Sequence, residues 1–343
     1  KASSETAAAI KELKEQGATS LILDLRGNPG GLLTEAINVS NLFLPKGKLI
    51  TNTKSVIEKY NQEYYTPKEP LDTEIPVAVL INGRSASASE IVSGSLQDYD
   101  RAVVVGARSF GKGLVQRPKE LTYGTQLKIT ISRYYTPSGR CIQALDYWNR
   151  DDNGNAIRTN AEDYNEFKTS TGRKVYDGGG ILPDIQIESA GMSAITEALL
   201  RDQAIFDFAT DYFYKHKYND ISDFKFTNAD YTAFKTYLDK QGFEYQTQTE
   251  KDLEEVYLDA SKDNLQDDIS SEYANLMRTI DVAKKEQLNR KEREISKLII
   301  DELVKRYFYR EGLYEYQLSH NEEIEEAKKV LQDPQRYAKI LNR

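Results

Sequence analysis

Three short segments carry residue types and spacings suited to chemistry, and each follows an apolar run of strand length. The first, Leu23-Asp24-Leu25-Arg26-Gly27-Asn28-Pro29-Gly30-Gly31-Leu32, is a glycine-rich turn between a strand and a helix. Glycines there permit positive φ and let backbone N–H groups approach a ligand closely, as an oxyanion requires. The same turn also reads as a tight connection with no chemical role. The second, Ile81-Asn82-Gly83-Arg84-Ser85-Ala86-Ser87-Ala88-Ser89-Glu90, again joins a strand to a helix. A serine on it has its hydroxyl beside the free N–H groups of a helix start, and Ala86 and Ala88 leave room for a substrate carbonyl. The serines also read as capping residues, with Ser89 a good N-cap and Glu90 a first-turn acid that favours the helix dipole. The third, Ser109-Phe110-Gly111-Lys112-Gly113-Leu114-Val115-Gln116, sets a lysine between two glycines. Desolvation disfavours an ammonium, so a lysine held in an apolar site works as a base near neutral pH. A Gly-Lys-Gly also reads as an exposed turn, and it lacks the spacing of a phosphate-binding P-loop.

Histidine placement narrows the mechanisms. Both histidines, His216 and His320, lie in the C-terminal part of the chain, so a Ser-His-Asp triad cannot be built within the first part alone. A serine nucleophile there needs another base, and lysine is the known substitute. The single cysteine, Cys141, cannot form an internal disulfide, and two histidines make no cluster of zinc-ligand spacing. Neither a metal nor another cofactor is signalled. With 46 basic and 54 acidic residues intermixed, the chain has no broad basic field for nucleic acid phosphates.

The elements around these segments alternate: helix over 4–16, strand 20–25, helix 33–43, strand 77–81, helix 89–97 and strand 102–105. Such alternation predicts an α/β fold with a mainly parallel sheet, and near-continuous apolar strands such as VAVLI and AVVV fit burial on both faces. Residues 126–134 alternate apolar and polar, which predicts a strand with one wet face, at or near an edge. Residues 46–75 read as a β excursion, a hairpin placed to cover the site, and 144–180 as a polar surface insertion returning to a last strand at 185–187. At 343 residues with 39% hydrophobic content, two domains are expected. We place them at 1–190 and 191–343, the second a bundle of charged helices rather than a coiled coil. No run approaches the roughly 20 apolar residues of a membrane span. An amphipathic helix leads straight into the first strand, so the chain reads as beginning inside a domain.

Together, LDLRGNPGGLL, SASASEI, FGKGLVQ and YYTPSG at 134–139 occur in the order found in the C-terminal processing (tail-specific) peptidases, which this chain resembles over about 21–143 and more weakly to GGGILPDI. The resemblance implies a crotonase-like core and catalysis without a cofactor. It makes Ser87 the nucleophile, Lys112 the general base and Gln116 the residue that orients the lysine. The oxyanion hole is then the amide of Ala88 with one from the glycine turn, Gly30 or Gly31, with Gly27 also a candidate. On an extended strand Lys112 and Gln116 point to one face, and a hydrogen bond between them requires the backbone to bend.

By the same resemblance the chain is a serine endopeptidase that cleaves proteins near their C-terminus through an acyl-enzyme. Its partners are protein or peptide substrates with accessible tails, docked by strand addition beside 126–134. The helical region offers a surface for a homo-oligomer or an adaptor. A periplasmic or cell-envelope location is expected, and a PDZ domain before the core, which this sequence does not include. Two other readings keep the scaffold: an inactive tail-binding protein, which has no need of Ser87, Lys112 and Gln116 together, and an acyl-CoA hydratase or isomerase, which calls for paired carboxylates at the site.

Overall fold

The computed structural model describes residues 1–151, 153–187 and 192–343. They form two compact units, Lys1–Ser189 with Asn321–Arg343, and Ala190–His320. The expected boundary at 190/191 lies outside the described residues.

In the first unit, α1 (Ala2–Glu15) leads into β1 (Leu21–Asp24) and α2 (Leu33–Asn41), followed by β2 (Leu49–Lys54), β3 (Gln62–Tyr65) and β4 (Val77–Ile81). Then come α3 (Ala88–Asp98), β5 (Val103–Gly106), β6 (Leu114–Glu120) and β7 (Gln126–Tyr135). Four short strands, β8 (Leu145–Arg150), β9 (Ala156–Arg158), β10 (Glu166–Lys168) and β11 (Lys174–Tyr176), form two hairpins inside the expected insertion, and β12 (Ile185–Gln186) closes the segment. Strands β1-β4-β5-β12 make a sheet that is parallel throughout. Val77, Val79 and Ile81 of β4 pack on one face with Ile37 of α2 and Ile91 and Leu96 of α3. Ala78 and Leu80 point to the other face, so every residue of β4 is apolar.

Strand β7 lies near an edge, as expected, second from the end of a separate antiparallel sheet ordered β3-β2-β7-β6. Its alternation marks one solvated face of an antiparallel sheet, a pattern that interior and edge strands share. Strand β6 pairs with β7 over 126–133, whereas β2 pairs with it only at 133–135, so among the described residues the β2 side of 126–132 has no ladder partner, and β6 is a further open edge next to Lys112.

The second unit contains α4 (Ala194–Arg201), α5 (Ala204–Lys215), α6 (Asn228–Gln241), α7 (Gln248–Lys262), α8 (Gln266–Arg290) and α9 (Glu292–His320), the last broken at Tyr309, φ +61°. Thr227 and Thr247 cap α6 and α7 in capping boxes with Asp230 and Glu250. Leu199, Phe208, Phe234, Leu238, Ile299 and Leu303 share one core, as in a bundle.

The chain then returns to the first unit. In α10 (Glu322–Gln332), Ile324, Ala327 and Val330 recur at helical spacing, and with Leu341, just beyond α11 (Pro334–Ile340), they cover Ala78, Leu80, Val103 and Val105. This corrects the assignment of 191–343 to a single region. A parallel sheet needs cover on both faces, and residues 321–343 supply the second.

Candidate active site

The serine turn and the glycine turn follow the neighbouring strands β4 and β1, whose parallel register brings both to the carboxyl end of the sheet, where α/β folds bind ligands. Side chains tie them together. Asn82 Oδ1 accepts from the amides of Gly27 and Arg84 at 3.0 Å each. Ser85 Oγ donates to the Leu25 carbonyl at 2.7 Å and Ser89 Oγ to the Asn28 carbonyl at 3.1 Å. The amide of Ala86 also donates to the Asn28 carbonyl, at 3.0 Å. Ser85 and Ser89 are thus buried tethers, whereas Ser87 is half-buried.

Ser87, not Ser89, is the N-cap of α3. Its backbone sits at φ +57°, ψ −114°, a conformation costly for any residue with a Cβ. A residue strained in this way at a helix start leaves the next amide outside the helix's own hydrogen bonds.

The glycine turn fits over the Ser87 turn. Gly30, at φ +95°, packs so that a Cβ on it would sit 3.0 Å from Ser87 Cβ and 2.8 Å from the Ala88 nitrogen. The Gly27 and Gly30 amides are spent on Asn82 Oδ1 and Asn28 Oδ1. Among the described residues, the amides of Gly31 and Ala88 have no acceptor. A largely apolar cavity of about 300 Å³ opens beside them, lined in part by Leu23, Leu25, Val39, Ala88 and Val92. The arginine of the turn, Arg26, is held by Asp24, Asn321 and Glu323 at 2.6, 2.7 and 3.0 Å.

The lysine loop is threaded against the chain at 143–144. A Cβ on Gly111, at φ +86°, would lie 2.2 Å from the Cβ of Ala144, and one on Gly113 would lie 2.6 Å from the Gln143 nitrogen. Both glycines are buried, but the Lys112 side chain is exposed. The desolvation expected of Lys112 is therefore absent, because its neighbours Phe110, Leu114, Gln116, Gln143 and Tyr147 line an open cavity of about 190 Å³ and do not enclose the lysine. Strand β6 has a register shift between Val115 and Gln116. Gln116 Nε2 donates to Thr130 Oγ1 at 3.3 Å. Among the described residues no hydrogen bond joins the side chains of Ser87, Lys112 and Gln116.

The sequence reading took Glu90 only as a first-turn acid and did not single out Gln143. Glu90, fully buried, accepts from the amides of Ser87, Gly111 and Lys112 at 2.8, 2.7 and 2.9 Å and from Ser109 Oγ at 2.5 Å. Burial pushes its carboxyl above the ordinary range, against the lowering effect of these bonds. The S-x-x-E spacing of Ser87 and Glu90 signals a capping box, but not the reach to the lysine loop. Gln143 Oε1 accepts from the Gly113 amide at 2.8 Å, and no local motif marks it.

Geometry of this kind belongs to α/β proteins that present a serine at the head of a helix. The model described as peptidase family S41 matches residues 1–147. A second model, described as a probable PDZ-protease C-terminal helical domain, matches residues 195–331. The carboxyl-terminal-processing protease of Synechocystis sp. is 43% identical over 141 residues, 41% of this chain and 32% of that protein. The carboxy-terminal-processing protease of Bartonella bacilliformis is 44% identical over 146 residues, 41% of this chain and 33% of that protein. A probable CtpA-like serine protease of Staphylococcus aureus is 28% identical over 278 residues, 80% of this chain and 51% of that protein. Among solved structures, a photosystem II D1 C-terminal processing protease aligns with TM-score 0.41 at 28% identity, covering 55% of this chain and 39% of its own. The chain spans about a third of the length of the first two relatives.

Proposed function

We propose that this chain is the catalytic part of a serine endopeptidase that cleaves proteins near their C-terminus through Ser87 and Lys112. The observation that carries the reading is the Ser87 elbow, strained at φ +57° directly beneath a glycine turn with an unspent amide. Lys112, as the neutral amine, takes the Ser87 proton, and the alkoxide attacks the scissile carbonyl. The amides of Ala88 and Gly31 receive the oxyanion; Gly30, whose amide is engaged, supplies close approach instead. The amine departs with a proton from Lys112, and water then hydrolyses the acyl-enzyme. No cofactor enters this scheme.

A substrate strand paired with the open edge of β6 lies across the Lys112 cavity, excludes water from the ammonium and favours its neutral form. Gln116 turns from Thr130 to orient the lysine in that state. The core around the parallel sheet is crotonase-like in this reading, the preceding domain is a PDZ domain that receives substrate tails, and the enzyme works in the periplasm or cell envelope. Incubating the purified chain with an unfolded protein at pH 7 to 9, beside Ser87→Ala and Lys112→Ala, tests it. Fragments from the parent alone support the reading, and undiminished cleavage by both variants refutes it.

A further inference from the structure

The capping of α3 needs one bond from Glu90, to the amide of Ser87, yet its carboxylate makes four. Oε2 accepts from the amides of both Ser87 and Lys112, at 2.8 and 2.9 Å. Oε1 accepts from Ser109 Oγ at 2.5 Å and the Gly111 amide at 2.7 Å. One oxygen thus lies between the main chain of the nucleophile and that of the lysine, and three of the four donors come from the lysine loop. Ser109 is itself fixed, since its hydroxyl accepts from the Ile181 amide at 2.6 Å. An unpaired carboxylate is expensive to bury, and four donors fill the acceptor sites of an ionised one.

We propose that Glu90 is a positioning residue that locks the Lys112 loop to the Ser87 turn through a single buried carboxylate. The proposal rests on the Ser87–Lys112 reading for its catalytic consequence, but not for its structural one. Glutamine offers one acceptor oxygen and brings an NH2 group against donors. Aspartate keeps the charge and the cap on α3 but falls short of the lysine loop.

The test is amide hydrogen exchange of the full chain, parent against Glu90→Gln and Glu90→Asp, with cleavage of an unfolded protein measured in parallel. Exchange across 109–113 is expected to rise about tenfold or more in both variants, while strand β4 and the helices of the second unit keep their parent rates. Where the parent cleaves, kcat falls about a hundredfold with KM nearly unchanged, as a misplaced catalytic group predicts. Ser109→Ala, which deletes one donor from the lysine side only, gives a smaller rise confined to the same loop and keeps the test open should the Glu90 variants misfold. Unchanged exchange at 109–113, or a uniform rise over the whole first unit, overturns the proposal. Failure of the Ser87 reading is separate: it appears as cleavage that survives Ser87→Ala, whatever the exchange shows.

Discussion

A Cβ placed on Gly30 would lie 2.8 Å from the amide nitrogen of Ala88 and 2.6 Å from the carbonyl oxygen of Ala86. Neither neighbour is the end of a flexible side chain. Both belong to the backbone of the Ser87 turn, and Gly30 already sits at φ +95°, where alanine is strained. Gly30→Ala therefore shifts the glycine turn off the Ser87 turn and separates the Gly31 amide from that of Ala88. Activity is expected to fall by about 10²–10³ in kcat, the usual effect of losing one such donor. Gly31→Ala is the control, because a Cβ there meets nothing within 4 Å and φ is not positive. Kinetics and thermal melts of the two variants check this: Gly31→Ala keeps the parent melting temperature, and Gly30→Ala does not.

The last helices stabilise the parallel sheet by covering it. Val330 and Ala327 are fully buried against the face formed by Ala78, Leu80, Val103 and Val105. Val330→Ala is expected to cost about 1–3 kcal/mol in urea unfolding of the first unit, from the transfer and cavity effects of lost methyl groups. Deleting 321–343 uncovers the whole face and should give a protein that binds a hydrophobic dye or aggregates. If that deletion leaves solubility and melting unchanged, the assignment of these helices to the α/β unit is wrong.

Acid stability should carry the signature of Asp72. Burial raises its carboxyl, but the Lys14 ammonium and the amides of Ile75 and Glu74 outweigh it and draw the group from 3.8 down to about 2. With the folded value below the unfolded one, the stabilisation is complete above the unfolded value. It disappears as pH falls through the folded one. Urea midpoints of the parent and Asp72→Asn should therefore differ by a constant amount above about pH 4 and converge toward pH 2. A difference that grows on acidification contradicts the ion pair's role.

Much of this architecture is written locally. VAVLI and AVVV are apolar at every position because β4 and β5 have helices on both faces, and the alternation around them marked α1, α2 and α3 to within a few residues. The three chemistry-bearing turns were legible for the same reason, since each follows a recognisable strand or precedes a recognisable helix. What escaped depends on partners far along the chain. Ile324, Ala327 and Val330 sit among charged residues and gave no sign that they cover β4. The alternation of β7 defines a wet face without naming β2 and β6 as its neighbours. Glu90 reads as a first-turn acid, and its bonds to 109–112 exist only because the turns after β4 and β5 meet at one end of the sheet. The exposure of Lys112 depends on which side chains surround its loop, which Gly-Lys-Gly cannot reveal.

The central claim is that Ser87, and neither of its two neighbouring serines, is the nucleophile and that Lys112 activates it. The most direct measurement is stoichiometric acylation with a fluorophosphonate, mapped by peptide mass spectrometry in the parent and in Lys112→Ala. A single adduct on Ser87, formed far more slowly when Lys112 is replaced, is the predicted result. Modification at Ser85 or Ser89, or an equal rate at Ser87 without the lysine, would contradict it.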